Sequence, residues 1–240
     1  MGFNNYGAQN VSARIKKNPQ TGLLGINIGP NKDTQNRSED YLIGLRTFYE
    51  LADYITINIS SPNTENLRNF HNEARLDELL KQIKIEKKNL NSKIPIVLKI
   101  APDINDKEIE KISEILLSND IEAIIISNTS DETREKLKDI QKHQKGGLSG
   151  KPIEDKTNLL ISKFYNNFKN KIKIIGVGGV DTGLSAYNKF LSGADLIQLY
   201  TGMVYKGPNI VNLIKNDLSK LLLKDGVKNF REIIGKKTKT

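Results

Sequence analysis

The chain has 240 residues, a formal charge of +9 and 6% aromatic residues, and it contains no cysteine. The lack of cysteine excludes disulfides, thiolate nucleophiles and thiolate metal sites, and the few aromatic side chains give little material for stacking on nucleic-acid bases. The lysines are spread along the chain, denser only around Lys84 to Lys93 and in the closing KKTKT, a distribution that describes solvated faces rather than a nucleic-acid-binding stripe.

No apolar run approaches the about 20 residues that span a bilayer, and MGFNNYGAQN lacks the regions of a signal peptide, so the isolated chain is expected to be soluble. Six short apolar runs follow one another, each closed by polar residues or glycine: LLGINIG at 23 to 29, YITINIS at 54 to 60, IPIVLKI at 94 to 100, IEAIIIS at 121 to 127, IKIIGVGG at 172 to 179 and LIQLYTG at 196 to 202. Rich in Ile and Val and almost continuously apolar, they suit strands covered on both faces, the pattern of a parallel sheet. Helical stripes separate them. Leu76, Leu79, Leu80 and Ile83 recur at i, i+3, i+4 and i+7, and Ile109, Ile112, Ile115 and Leu116 mark a second stripe, opened by Asn105 with Glu108 as a capping box. Further stripes run over 158 to 168, 184 to 191 and 210 to 222. This alternation makes either a doubly wound sheet or a (β/α) barrel.

Polar and glycine residues sit at or just past the C-terminal end of every run: Asn27, Asn58 with Ser61, Lys99, Asn128, Gly178 with Gly179, and Tyr200 with Thr201. A barrel gathers ligands around that rim, whereas a doubly wound sheet concentrates them near one switch point, so the distribution favours an α/β fold of the TIM-barrel kind. Six of the eight units that close such a barrel are visible.

GVGGVDTG at 176 to 183 places glycines where a strand turns into a helix. They either shape the turn or let backbone N–H groups approach a phosphate; Asp181 breaks the G-x-G-x-x-G spacing, while the later YTG adds a hydroxyl and another glycine in favour of phosphate. Lys99 interrupts an apolar run, as half of an ion pair or as the cationic partner of an anionic ligand. GGLSG at 146 to 150 reads by itself as a mobile loop. His71 and His143 stand alone, without H-E-x-x-H, and give no metal site; Ser61 has neither a nearby histidine nor G-x-S-x-G for acyl transfer. Asn58, Ser60, Ser61 and Asn63, which close the stretch INISSPN, are costly to bury without partners, and a ligand is one candidate partner.

In this order and spacing, GFNN, LGINIG, INISSPN, KIAPD, SNT, GGLSGKP, IIGVGGV and QLYTGMVYKGP resemble the class 2, quinone-dependent dihydroorotate dehydrogenases, over nearly the whole chain to about residue 222. The resemblance implies an FMN-containing (β/α)8 barrel that oxidises dihydroorotate to orotate in de novo pyrimidine (UMP) biosynthesis and passes electrons to a membrane quinone. By the same resemblance Ser61 is the catalytic base, taking the proton from dihydroorotate C5 while hydride leaves C6 for the flavin; a cysteine at this position marks the sister class. A serine hydroxyl is a weak base, so the role requires a hydrogen-bonded relay and stabilisation of developing charge. Gly2, Phe3, Asn58, Asn63, Asn128 and Thr129 fall on the substrate side. Asn27, Asn58, Lys99, Ser127, Gly150, Gly179, Tyr200 and Thr201 fall on the cofactor side, with Lys99 offsetting negative charge on the reduced ring. Ser127 stands where the family often has threonine and keeps the hydroxyl.

The resemblance also carries a departure: the family has a further segment before GFNN, with the first two barrel strands and the helical pair that docks on the membrane. The chain is therefore expected to form an incomplete barrel over 1–222 and a basic tail with a short helix over 223–240, to hold FMN weakly or not at all, and to turn over poorly. Membrane contact is expected only through the absent segment, placing a bacterial enzyme on the cytoplasmic face of the inner membrane. The alternatives are a decayed remnant without activity, another FMN-binding barrel oxidoreductase, or a basic RNA-contacting protein; the asparagine and serine set argues against the last two.

Overall fold

A computed structural model of the chain describes residues 4–18, 21–31, 33–60, 72–132, 134–135 and 137–238. Helix α1 (Ala8–Lys17) precedes strand β1 (Gly25–Ile28), and the chain then alternates α2 (Arg37–Phe48), β2 (Tyr54–Asn58), α3 (Glu73–Asn89), β3 (Ile96–Ile100), α4 (Asp106–Ser118), β4 (Ala123–Ile126), α5 (Glu154–Phe168), β5 (Lys173–Val177), α6 (Gly183–Leu191), β6 (Leu196–Gln198), α7 (Thr201–Lys206) and α8 (Ile210–Lys224). The six strands form one sheet in sequence order, each parallel to the next. The result is a curled part-barrel, an α/β fold of the (β/α)8 type with six of its units present. The curl is deep enough for Gln198 Nε2 on β6 to donate to the Tyr54 hydroxyl on β2 at 3.3 Å.

Strand alternation divides the sheet into two faces. Ile55, Ile57, Leu98, Ile100, Ile124, Ile126 and Ile174 point outward and pack with Leu76, Leu79, Leu80 and Ile83 of α3, Ile109 and Ile112 of α4 and Phe164 and Phe168 of α5 in one continuous core. Val97, Ala123, Ile125 and Ile175 form a much smaller apolar cluster on the inner face, edged by Tyr54 and Val177. The expected stripes on α3 and α4 are the buried faces of those helices, and the Asn105–Glu108 capping box is present, with reciprocal bonds of 3.1 and 2.7 Å. The tail carries short 3-10 turns at Phe230–Ile233 and Lys236–Thr238, and Ile233 packs with Phe190 of α6.

At the N-terminal ends of the strands a side-chain device recurs. Asp53, just before β2, accepts from Leu24 N–H at 2.6 Å; Glu122, just before β4, from Ile96 N–H at 2.8 Å; and Asp195, just before β6, from Ile174 N–H at 2.9 Å. Each carboxylate satisfies an amide at the start of the preceding strand. Lys87 and Lys173 pair with Glu122 and Asp195 at 2.5 and 2.8 Å. A cavity lined by Leu80, Ile83, Ile96 and Ile121 opens at this same end of the sheet, away from the C-terminal rim.

Lys189 of α6 is fully buried and bonds only neutral oxygens, Thr157 Oγ1 and Asn158 Oδ1, both at 2.9 Å. Burial pushes its pKa down from 10.5 to about 8, opposed in part by the more distant Glu154 and Asp155. Between those two values the unfolded chain holds the proton and the folded chain does not, so this lysine makes stability rise with pH across that window and makes no such contribution below it. In Lys189→Met the rise, about 3 kcal/mol, is expected to disappear. Urea unfolding of both proteins from pH 7.5 to about 10.5 checks the difference.

Candidate active site at the strand C-termini

The end of β2 is fixed from behind. Tyr41 of α2, fully buried, donates its hydroxyl to the Asn58 carbonyl at 2.7 Å, and burial raises its pKa far above the ordinary phenol value. The Asn58 side-chain oxygen accepts from Ser60 N–H at 3.1 Å and from Ser60 Oγ at 2.6 Å. Ser60 Oγ in turn accepts from Asn128 Nδ2 at 2.9 Å, and Asn128 Oδ1 accepts from Thr129 N–H at 2.8 Å. Asn58, Ser60, Asn128 and Thr129 thus form one hydrogen-bonded chain across the ends of β2 and β4. Ser127, joined to Ile126 by a cis peptide, donates its amide to the Val177 carbonyl at 3.2 Å and its hydroxyl to the Asn128 carbonyl at 3.0 Å.

Lys99 lies beside Asn58 in the sheet register and on the same inner face, with Ile125 on its other side. Burial lowers its pKa. Among the described residues its ammonium has no hydrogen bond and no carboxylate partner, and the Asn58 side-chain amide donates to nothing either. Two adjacent donors therefore face the hollow of the sheet without acceptors, where a group carrying negative charge or carbonyl oxygens would satisfy both. Of the two roles open to Lys99 from sequence, the ion pair is not formed among the described residues.

A second corner is built from glycine and hydroxyl groups. Gly179, at φ +78°, runs so close to the start of α5 that a Cβ there would lie 2.4 Å from Glu154 Cβ and 2.8 Å from its Cα. Gly150, also at φ +78°, packs on Thr201, whose methyl would be 2.9 Å from an added Cβ, and Thr201 Oγ1 donates to Ser149 Oγ at 3.0 Å. The GGLSG segment thereby meets the turn after β6, a contact that its sequence did not disclose. Tyr200 is 65% exposed at the start of α7. Asn27 is on edge strand β1, exposed, next to Thr56 in register. Gly2, Phe3, Ser61 and Asn63 lie outside the described residues. Sequence patterning missed Tyr41 as a support of the site, and marked Ser60 only as a polar group in need of a partner; the spacing of Tyr41, Leu45 and Phe48 behind Asn36 and Glu39 carried the signal for α2.

A parallel strand–helix barrel with unsatisfied donors and glycine turns gathered at the C-terminal rim is a ligand-binding (β/α)-barrel of the enzyme kind. The family model for dihydroorotate dehydrogenase matches residues 1–222, and the chain belongs to that family. It is 42% identical over 237 residues to a dihydroorotate dehydrogenase (quinone) of Bartonella tribocorum, covering 97% of this chain and 66% of that protein. It is 44% identical over 226 residues to one of Vibrio parahaemolyticus, covering 90% of this chain and 66% of that protein. A crystal structure of the Eimeria tenella DHODH in complex with ferulenol superposes with a TM-score of 0.95 at 31% identity, covering 100% of this chain and 70% of that one. The chain spans about two thirds of the length of these curated relatives. The family is one of flavin enzymes, and among the described residues no helix is long and apolar enough to cross a membrane.

Replacing Gly179 by Ala combines an unfavourable φ with a clash against helix backbone, and a loss of about 3 kcal/mol in urea unfolding is expected. Gly22→Ala, with nothing within 4 Å of the new methyl, is the control and should change stability little.

Proposed function

We propose that this chain carries the cofactor- and substrate-binding face of a dihydroorotate dehydrogenase (quinone), oxidising dihydroorotate to orotate in pyrimidine (UMP) biosynthesis. The observation that carries the proposal is the pair of adjacent unsatisfied donors, Lys99 Nζ and Asn58 Nδ2, on the inner face of the sheet. Such a pair suits the electron-rich edge of a flavin, and the glycine–hydroxyl corner suits its phosphate. The cofactor is FMN, which when bound supplies the two-electron acceptor. Lys99 and Asn58, with Asn27 and Ser127, would hold the ring, and Gly150, Gly179, Tyr200 and Thr201 would supply the flavin-side and phosphate-side contacts.

On the substrate side, Asn58, Asn128 and Thr129 are already oriented by the Ser60 relay, and the resemblance of GFNN and INISSPN to the family's motifs supports Gly2, Phe3 and Asn63 there as well. Ser61 Oγ takes the proton from dihydroorotate C5, and the neighbouring chain of hydroxyl and amide groups is of the kind that a weak base needs. The quinone-dependent relatives support a quinone as final acceptor and, for a bacterial enzyme, a peripheral place on the cytoplasmic face of the inner membrane. Residues 1–222 form the catalytic barrel and 223–240 a basic tail. No nucleic-acid partner is proposed.

The charge on Lys99 gives a pH test. Its pKa is lowered by burial, and an anionic ligand beside it restores the charge, so FMN binding is expected to take up a proton as the pH rises through that pKa and to weaken as the pH approaches 10.5. Lys99→Met should bind FMN about tenfold more weakly near neutrality and should lose the alkaline decline. Flavin fluorescence quenching measures both, and equal affinities at every pH would refute the assignment.

Ser61→Ala is expected to keep FMN and orotate binding and to lose dihydroorotate oxidation, read as dye reduction by the flavin-loaded chain. A second reading, a chain without turnover of its own, is favoured by the outer edges of β1 and β6, which no strand covers among the described residues. FMN binding without oxidation in the unsubstituted chain would decide for it.

A further inference from the structure

Asp103, the last residue of KIAPD, lies just past the strand that carries Lys99. Its Oδ1 accepts from Ser130 Oγ and from Lys156 Nζ of α5, each at 2.6 Å, and its Oδ2 accepts from Asp131 N–H at 2.8 Å. Lys156 also pairs with Glu132 at 2.6 Å. Burial acts to raise the Asp103 pKa, but the hydrogen bonds from Lys156, Ser130 and Asp131 outweigh it and hold the carboxyl below the usual carboxylate range. The site is therefore a fixed negative charge on which Ser130, Lys156 and Asp131 converge as donors.

What those donors belong to gives the carboxylate its consequence. Ser130 and Leu148 exchange both backbone hydrogen bonds, Ser130 N–H to Leu148 O at 2.9 Å and Leu148 N–H to Ser130 O at 2.7 Å. This single bridge pinches the long excursion between β4 and α5 into two legs. One leg holds Asn128 and Thr129, at the substrate side. The other holds Ser149 and Gly150, against Thr201 at the phosphate side. Beyond the pinch the Arg134 guanidinium bonds the carbonyls of Gln144 and Gly146, so the excursion is tied to itself there. The first leg is also fixed to the sheet, since Asn128 N–H donates to the Ile100 carbonyl of β3 at 3.0 Å, and the pinch joins the second leg to that fixed one.

We propose that Asp103 is a positioning residue that, acting through Ser130, sets the separation of the two legs and so couples the affinity for the flavin phosphate to the affinity for the pyrimidine carboxylate. The proposal rests on the dihydroorotate dehydrogenase reading of the site and adds a residue that touches neither ligand. Asparagine keeps the size of Asp103 but replaces one oxygen with a donor, so it must lose the bond to Asp131 N–H or face Ser130 and Lys156 with the wrong group. Loss of a charge-assisted bond of this kind corresponds to about tenfold in an equilibrium constant.

The test uses the full chain in three forms, Asp103→Asn, Ser130→Ala and the double variant, beside the unsubstituted protein. Hydrogen exchange at the Ser130 and Leu148 amides, which needs no ligand, is expected to quicken about tenfold in Asp103→Asn. Dissociation constants for FMN, by fluorescence quenching, and for orotate, by flavin absorbance, should rise together by about tenfold in each single variant, with no further rise in the double variant. Ser130→Ala leaves the carboxylate in place and keeps the test open should Asp103→Asn fold poorly. A lowered unfolding temperature with both ligand constants unchanged would show a merely structural role and overturn the inference. So would unchanged exchange at the two amides, or weakening of one ligand alone. Absence of FMN and orotate binding in the unsubstituted chain would overturn the reading that this chain by itself holds both ligands, and this inference with it, whereas binding that survives Asp103→Asn overturns only the inference.

Discussion

Covering a parallel sheet on both faces is the constraint from which the rest of this molecule follows. Outward, each strand must present aliphatic side chains to a helix, and the isoleucines of β2, β3, β4 and β5 do so in a single core. Inward, the apolar cluster among the described residues is much smaller, formed by Val97, Ala123, Ile125 and Ile175. Polar residues share that inner face, Asn27, Thr56, Asn58, Lys99 and Gln198 among them. Asn58 and Lys99 are buried there and placed side by side by the register. Their unsatisfied donors turn a packing rule into evidence about a ligand.

The site is held less by the strands than by what stands behind their ends. Tyr41 fixes the last carbonyl of β2 from the helix side, Ser60 ties the ends of β2 and β4, and Thr201 reaches Ser149 across the mouth. All of these are short polar contacts between segments far apart in the chain. Such cross-links hold the two corners of the rim in a common frame.

Much of the architecture is visible in the linear sequence because it is periodic. The six aliphatic runs became six strands, and the stripes at Leu76 to Ile83 and Ile109 to Leu116 became buried helix faces, since burial on one side writes a repeat into the chain. The strand ends were less legible. LIQLYTG looks continuous, yet β6 stops at Gln198 and α7 begins at Thr201, with the hydroxyl and glycine as the first two residues of the helix. GGLSG carries no period at all, and its meeting with Thr201 depends on a contact 52 residues away that no local pattern encodes. Tyr41 was invisible for the same reason, since it matters through one partner and a single partner leaves no repeat, whereas Ser60 stood out as a polar group in need of partners but not as the link between Asn58 and Asn128. Lys99 was the converse case, a charge so out of place in its run that the sequence alone marked it.

The carboxylates at the opposite end of the sheet divide the strands differently from the hydrogen-bond ladder. Asp53, Glu122 and Asp195 each tie an odd-numbered strand to the even-numbered one after it, and among the described residues no such side chain spans β2 to β3 or β4 to β5. The sheet is thus assembled from doublets, with seams between them that are held closed by backbone pairing and apolar packing rather than by such a carboxylate. Fraying, excision or grafting along this architecture should respect those seams, and a closed ring made to the same rule is a ring of four doublets, to which the present strands contribute three.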